Sequence, residues 1–598
     1  QKTLIGSQST VLGIAAGVEG QAHDQALRQL LSEIERLRQH GFSEADFQRE
    51  QAHIRGLGKK TVANTKARSF EQWVEQLSNA TAPEGRVTDR QATAGRYLEV
   101  LEQIDRSDLE QRLQRWLASR DRVLQISAPE ASLVRLPTVA QVEALQASIA
   151  QTRLSAPVSE APKVAATPRF ELPAPGTAGT IVARKAFAQE QVEHWQLSNG
   201  DRLVWLRRNG PDGKWLLQAE SSAGYNIDGA PAWRLQMAAQ LALASAPQAG
   251  ASQALAEWRK QQRATISLEH SPQRLQMNLS AAPEQLPSLF QSYRLNQQAN
   301  IDPALFSEAR ADLLARSNSR PDDVRSQQDS QQRRLKFGAD AWQSPTPATL
   351  QALTSEQLGA DWQRLAGAPV TYYLMADIDP AQLEPLVREQ LASVPRTSAL
   401  PSKPVMQQPG QRRHDLAIAL EPRAVLEASS YQPQAWNPEA AMRVATLRDL
   451  ANQRLKQRLR GEASGIYRLQ FDSELNPQTQ RIESRLNFTC DPARVDELWA
   501  LAQQTLAELD VDGQWVAAQR RELSRQEAKR RDDPQTQFKR LSLSERHWQD
   551  PRYLRTQAQL PAALSLPALQ QQARLLFPQA NQVQLRLLPS VTALEQAL

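Results

Sequence analysis

The sequence predicts an α+β fold built from repeated homologous α/β-sandwich domains, each a mostly antiparallel sheet with helices packed on it. Three observations carry this. An order of strand, helix, helix and returning strand recurs three times along the 598 residues. Each copy sets a capping residue (Ser43, Asp302 or Asp512) before its second helix, with Phe47, Phe306 or Val516 four positions later. Proline-rich stretches fall between the copies. Asp302 and Asp512 are 210 residues apart, so the unit repeated is a whole domain and not a solenoid turn.

In the first copy, residues 11–17 read as a strand, and Leu27, Leu30, Leu31, Ile34 and Leu37 follow at helical spacing. Gly41-Phe42-Ser43 stops that helix, and Ser43 caps the next, which carries Phe47 and Ile54. Residues 122–126 are strand-like and end at Pro129. In the second copy residues 275–279 alternate as a strand, Leu286, Leu289, Phe290 and Tyr293 line a helix, Asp302 caps the next, and 370–375 return. In the third, residues 486–490 alternate, Val495, Leu498, Trp499, Ala502, Leu506 and Leu509 form the helical stripe, Asp512 caps, and 583–587 close the unit.

The linkers divide the chain in the same way. Residues 151–190 form a Pro/Ala-rich connector without a periodic apolar face, and 397–411 a shorter one. Complete domains are expected over 191–396 and 412–598, and an incomplete one over 1–150. Only 42 residues precede Ser43, against roughly 100 before the equivalent caps within their units, so the chain is expected to start inside a domain whose front strands lie elsewhere.

Composition narrows the function classes. The net charge of +6 is small for this length and is diluted by interspersed acids, as in Lys529-Arg530-Arg531-Asp532-Asp533. That pattern describes a solvated helix face and argues against nucleic acid as a partner. No apolar run approaches the ~18 residues of a membrane span. One cysteine, Cys490, rules out an internal disulfide and reads as a small buried hydrophobe. No two of the seven histidines (23, 40, 53, 194, 270, 414 and 547) are four apart; each reads as a surface or capping residue.

The candidate site is Leu459-Arg460-Gly461-Glu462-Ala463-Ser464-Gly465-Ile466-Tyr467. A helix opened by Asn437-Pro438-Glu439 breaks at Gly461, Ser464 and Gly465, and 466–471 alternate as a strand. Arg460 therefore stands at the helix end and Tyr467 at the strand start. Together a guanidinium and a phenol donate several hydrogen bonds to one carbonyl or carboxylate. The same pattern also fits an Arg favoured by the helix dipole and a strand Tyr half in the core.

Residues 197–206, followed by Trp215-Leu216-Leu217 and Gly224, resemble the opening hairpin of a domain in pitrilysin/insulinase-type zinc metallopeptidases. Residues 41–47 resemble that family's second domain, 156–179 its connector, and Arg460 with Tyr467 its fourth-domain Arg…Tyr pair. The resemblance implies four domains in two halves that enclose a peptide or unfolded polypeptide. Arg460 and Tyr467 would then hold the peptide backbone as substrate-binding residues. The family's inverted zinc motif, His-x-x-Glu-His, is absent, and residues 229–256 contain no His, Asp or Glu. The expectation is a non-catalytic portion with no catalytic residue, metal ligand or cofactor of its own, zinc being supplied by an upstream catalytic domain. A zinc-less partner subunit or a peptide-binding scaffold of the same fold is the alternative. The resemblance implies a periplasmic location.

Overall fold

The computed structural model describes residues 13–17, 23–64, 67–68, 70–80, 87–119, 123–125, 137–156, 169–319, 324–338, 344–400, 402–403, 405–419 and 421–590. The chain forms two compact units, residues 1–165 and 166–598.

The first unit is helical: α1 (His23–His40), α2 (Glu44–Ala63), α3 (Phe70–Ala80), α4 (Arg90–Leu101), α5 (Arg106–Leu117) and α6 (Val139–Ala150). Ser43 caps α2 as its position requires, its side chain accepting from the Asp46 amide at 3.0 Å. Among its described residues the buried apolar side chains are Leu31, Ala94, Leu113, Leu117 and Ile149. Residues 13–17 and 123–125 are not strands, contrary to the alternation read from the sequence. A strand persists only where its backbone groups pair laterally, and no described segment of this unit is extended beside them. The rest of those two expected strands (11–12, 122, 126), Pro129, and residues 157–168 of the connector lie outside the described residues.

The second unit begins with β1 (Ile181–Phe187), β2 (Val192–Leu197), β3 (Arg202–Leu206) and β4 (Trp215–Ser221). Next come α7 (Ala232–Ala244), α8 (Ser252–Gln261), β5 (Thr265–His270), β6 (Leu275–Ala281), α9 (Leu286–Gln297), α10 (Pro303–Ser319) and α11 (Val324–Phe337). The first sheet is completed by α12 (Pro347–Gln351), α13 (Ser355–Ala366), β7 (Val370–Met375) and α14 (Pro380–Gln390). The second has β8 (Arg412–Ala419), β9 (Ala424–Pro433), α15 (Pro438–Leu455), β10 (Ile466–Asn476), β11 (Arg481–Cys490), α16 (Val495–Ala507), α17 (Gly513–Arg530), α18 (Pro534–Trp548), α19 (Arg552–Thr556), α20 (Leu566–Ala573) and β12 (Gln582–Pro589).

Strand order exposes the duplication. The seven-stranded sheet runs β1-β2-β3-β7-β4-β6-β5, and the five-stranded sheet, read from its β8 edge, runs β8-β12-β9-β11-β10. Without the β1–β2 hairpin the two orders match strand for strand. In each, the returning strand inserts between the first two and makes the single parallel pairing, β7 with β3 and β12 with β8. Alternation buries one face of each sheet under its own helices: Leu217, Met277, Leu279 and Phe290 in one, Leu426, Leu486, Phe488 and Leu498 in the other.

The other face of each sheet is covered by a helix from the opposite repeat. Leu541 of α18 packs with Val192, Val204, Leu206, Tyr373 and Met375 of the seven-stranded sheet. In return α11 lies on the five-stranded sheet, where Gln328 and Gln332 donate to Glu427 at 2.9 and 2.7 Å and Gln331 meets His414 at 3.0 Å.

Candidate functional site

Helix α15 is fixed at both ends. Asn437 caps it by accepting from the Ala440 amide at 2.8 Å, and Val444, Leu447, Ala451 and Leu455 bury its inner face. Near its C-terminus the Asn452 amide donates to the Phe471 carbonyl (2.6 Å) and accepts from the Phe471 N–H (3.1 Å), tying the helix to strand β10.

Past Leu455 the winding loosens into a π-helix over Lys456–Glu462. Wide turns of this kind recur at functional sites because they splay side chains that an α-helix would stack. The segment ends with the Ala463 N–H on the Arg458 carbonyl (3.0 Å) and the Gly465 N–H on the Leu459 carbonyl (3.1 Å). Ser464 takes a left-handed conformation at φ 48° to make the reversal. Gly465 is required by close approach, since a Cβ there would lie 2.6 Å from the fully buried Leu498.

These elements place the two predicted residues. Arg460 is exposed on the π-turn and has neither ion pair nor hydrogen bond among the described residues, whereas its neighbour Arg458 faces Glu462 and Glu508 at 4.0 and 3.6 Å. Tyr467 is the extra residue of a β-bulge: Ile466 pairs with Cys490 and Arg468 with Thr489, leaving Tyr467 between them. It is 63% exposed, so the alternative of a Tyr half in the core does not hold. The two do not touch each other. Instead Arg423 lies over the Tyr467 ring, its Cζ 5.1 Å from the centroid. Neither the π winding nor Arg423 was legible in the sequence. The first leaves the buried i, i+4 pair Leu455 and Leu459 unchanged, and the second comes from the turn before β9.

Strand β10 is an edge, paired only with β11. Its outer row of backbone donors and acceptors has no strand beside it, though Asn452 of α15 already holds the N–H and C=O of Phe471 in that row. Arg460 and Tyr467 stand at the head of that row.

Three of the histidines depart from the expected surface and capping roles, while His40 and His53 are exposed as expected. His194 is 9% exposed, with Nε2 2.9 Å from Oε1 of the buried Glu545 on α18. His270 bonds the Ala223 carbonyl at 3.1 Å, and burial pushes its imidazole down to about 4. His547 stacks on Trp436 with ring centroids 4.2 Å apart. In each case an apolar or acidic neighbour distant in sequence, 351 residues away for His194, claims the ring. Cys490 is buried as expected, and burial pushes its thiol up to about 11.

Zinc does not fit the residues of α7. Its Leu235, Met237, Ala238, Ala239 and Ala242 are buried among apolar neighbours and supply no donor atom of the kind zinc takes. Among the described residues no three His, Cys, Asp or Glu side chains cluster as metal ligands. No described helix is long and apolar enough to cross a membrane.

No family model matches the chain. It is 36% identical to the ferredoxin protease FusC, solved as a point mutant in complex with Arabidopsis ferredoxin, with a TM-score of 0.71 over 96% of this chain and 64% of that one. Over 515 residues it is 22% identical to the probable zinc protease PqqL of Escherichia coli, covering 80% of this chain and 52% of PqqL. A peptidase M16 inactive domain from Pseudomonas fluorescens shares the fold, with a TM-score of 0.55 at 15% identity over 67% of this chain and 98% of that one. The chain thus spans about half the length of the curated relative and under two thirds of the ferredoxin protease. It is a homologue of the pitrilysin/insulinase-type (M16) zinc metallopeptidases, and the stretch of that architecture it carries is one without the His-x-x-Glu-His motif.

Proposed function

We propose that this chain supplies the non-catalytic, substrate-binding half of a zinc metalloendopeptidase that degrades peptides and unfolded polypeptides between two closing halves. The observation that carries the reading is an unpartnered Arg460 beside an exposed Tyr467 at the head of the edge strand β10. A peptide laid along β10 ahead of Phe471, whose outward N–H and C=O Asn452 already holds, adds a short strand to the sheet through its backbone, which accepts many sequences. Arg460 and the Tyr467 hydroxyl then donate to a peptide carbonyl or terminal carboxylate, fixing the register of the bound chain. In this reading residues 1–150 belong to a second domain, 191–396 to a third and 412–598 to a fourth. Zinc and its base come from an upstream domain, the location is periplasmic like that of the solved E. coli protease PqqL, and this chain alone hydrolyses nothing.

A zinc-less subunit that lends the same surface to a separate catalytic chain is the second reading. The absence of any metal-ligating side chain on α7 favours it equally. An in-frame His-x-x-Glu-His upstream in the gene supports the first; a start codon and signal segment directly before Gln1 supports the second. Binding itself is tested by fluorescence anisotropy of a labelled, unfolded peptide added to the 598-residue chain. Saturable binding that Arg460→Ala weakens about tenfold, the loss of one charge-assisted bond, supports both. Affinity equal in wild type and variant removes the site.

A further inference from the structure

The surroundings of Tyr467 carry more positive charge than the fold requires. Arg423 lies over its ring and meets only the exposed Glu421, at 3.7 Å, a loose surface pair. Arg460 and Arg468 are exposed and have neither ion pair nor hydrogen bond among the described residues. The other carboxylates of the π-turn and of the stretch after β11 are already engaged. Glu462 and Glu508 face Arg458, Glu497 accepts from Arg494 at 2.7 and 3.0 Å, and Asp491 caps a turn through the Ala493 amide at 2.9 Å. Three guanidiniums at the head of β10 thus share one loose counter-ion.

The sister repeat has no such cluster. In the matched strand orders β5 takes the place of β10. Its pairing with β6 is unbroken from Thr265 to His270, and the side chains it exposes are Thr265, Ser267 and Glu269. Arg259, in the last turn of the helix before it, is buried and donates to the Leu243 carbonyl at 2.7 Å. In the repeat that carries β10 the π-turn leaves Arg460 outside, and the β-bulge breaks strict alternation so that Tyr467 and Arg468 are both exposed.

We propose that the head of β10 is a carboxylate subsite, in which Arg423, Arg460 and Arg468 beside the Tyr467 phenol take the free C-terminal carboxylate, or an Asp or Glu side chain, of the bound peptide. This rests on the peptide reading of Arg460 and Tyr467 and adds to it a substrate class and a direction. A guanidinium offers a carboxylate parallel N–H donors and an opposite charge, and a neutral amide returns only part of that interaction. Direction follows from the charge. Asn452 holds the outward N–H and C=O of Phe471, so the open part of the row lies between Tyr467 and Gln470. A peptide antiparallel to β10 brings its carboxyl end to the arginines, whereas a parallel one brings its ammonium there and is repelled. Acidic peptides held antiparallel are the preferred class.

The test is fluorescence anisotropy with the 598-residue chain and a labelled, unstructured peptide, made with a free or amidated C-terminus and with an internal Glu or Gln. The form with neither carboxylate is expected to bind at least about tenfold more weakly than the form with both, the gap closing between about 0.05 and about 0.5 M salt. Whichever single carboxylate keeps the affinity names the source. Arg423→Gln and Arg468→Gln are each expected to weaken the acidic form about three- to tenfold, with the neutral form and the melting temperature of the chain unchanged. A benzophenone at the carboxyl end of the peptide should cross-link to residues 460–468, and one at its amino end should not. Equal binding of all forms, each weakened by Arg460→Ala, would leave the peptide reading intact and overturn this one. Cross-links in the opposite sense would overturn the direction, and saturable binding of no form would sink both readings.

Discussion

At His270 burial sets the charge. The ring sits edge-on to Tyr225 at 5.4 Å, bonds a carbonyl through Nε2, and is held at about 4, against about 6.5 for an unfolded histidine. Between those values the unfolded chain binds more protons than the folded one, so stability falls as pH drops from about 6.5 and the loss is complete near 4. At this one site it amounts to about 3 kcal/mol. His270→Gln, which takes no proton, is predicted to flatten the urea-derived stability curve of the chain in that window. An unchanged slope would contradict the assignment. His270 also marks a limit of the sequence: seven scattered histidines carry no signal of which are buried, because the residues that bury them lie on other strands and helices. The placement of Arg460 at a helix end and Tyr467 at a strand start was legible through a Gly/Ser break between a helical and an alternating stretch.

Among the elements, α15 and β10 follow from local chemistry, a capping Asn437 and apolar residues in step, and both form where the pattern puts them. Helix α11 does not. Its sequence is polar on every side and none of its residues is fully buried, so it has no apolar stripe to hold it. Polar contacts hold it, with His414, Arg412 and above all Glu427, which accepts from Gln328 and Gln332 of the helix and sits near Lys336, whose ammonium burial pushes down to about 8. Glu427→Ala leaves those amide donors unpaired at a cost of about 1–3 kcal/mol. Amide exchange over residues 324–337 should then accelerate while β9 and β11 keep their protection. Uniform acceleration across the sheet would mean Glu427 supports the strands and not the helix. Of the strands expected at 11–17 and 122–126, the described parts, 13–17 and 123–125, are not strands for a related reason: a strand pattern gives a segment its faces, but only a neighbour gives it a sheet.

Across the whole molecule, the duplication was visible in the capping residues alone, since Asp302 and Asp512 each start a helix behind a strand at matching distances. The reciprocal exchange of α11 and α18 was not, because pairs such as His194 with Glu545 or Arg546 with Glu220 join residues more than 300 positions apart. In the proposed reading, what the second unit would offer a peptide is an edge strand, a guanidinium without ion pair or hydrogen bond among the described residues, and an exposed phenol. The most direct test of that account is the steady-state kinetics of Arg460→Ala and Tyr467→Phe in the intact enzyme, with zinc content measured on the same samples. Each variant is predicted to lose about 10–100-fold in kcat/KM for unfolded peptides, the range expected for one or two lost hydrogen bonds, with zinc unchanged. Kinetics equal to wild type, or losses that follow a loss of zinc, would contradict it.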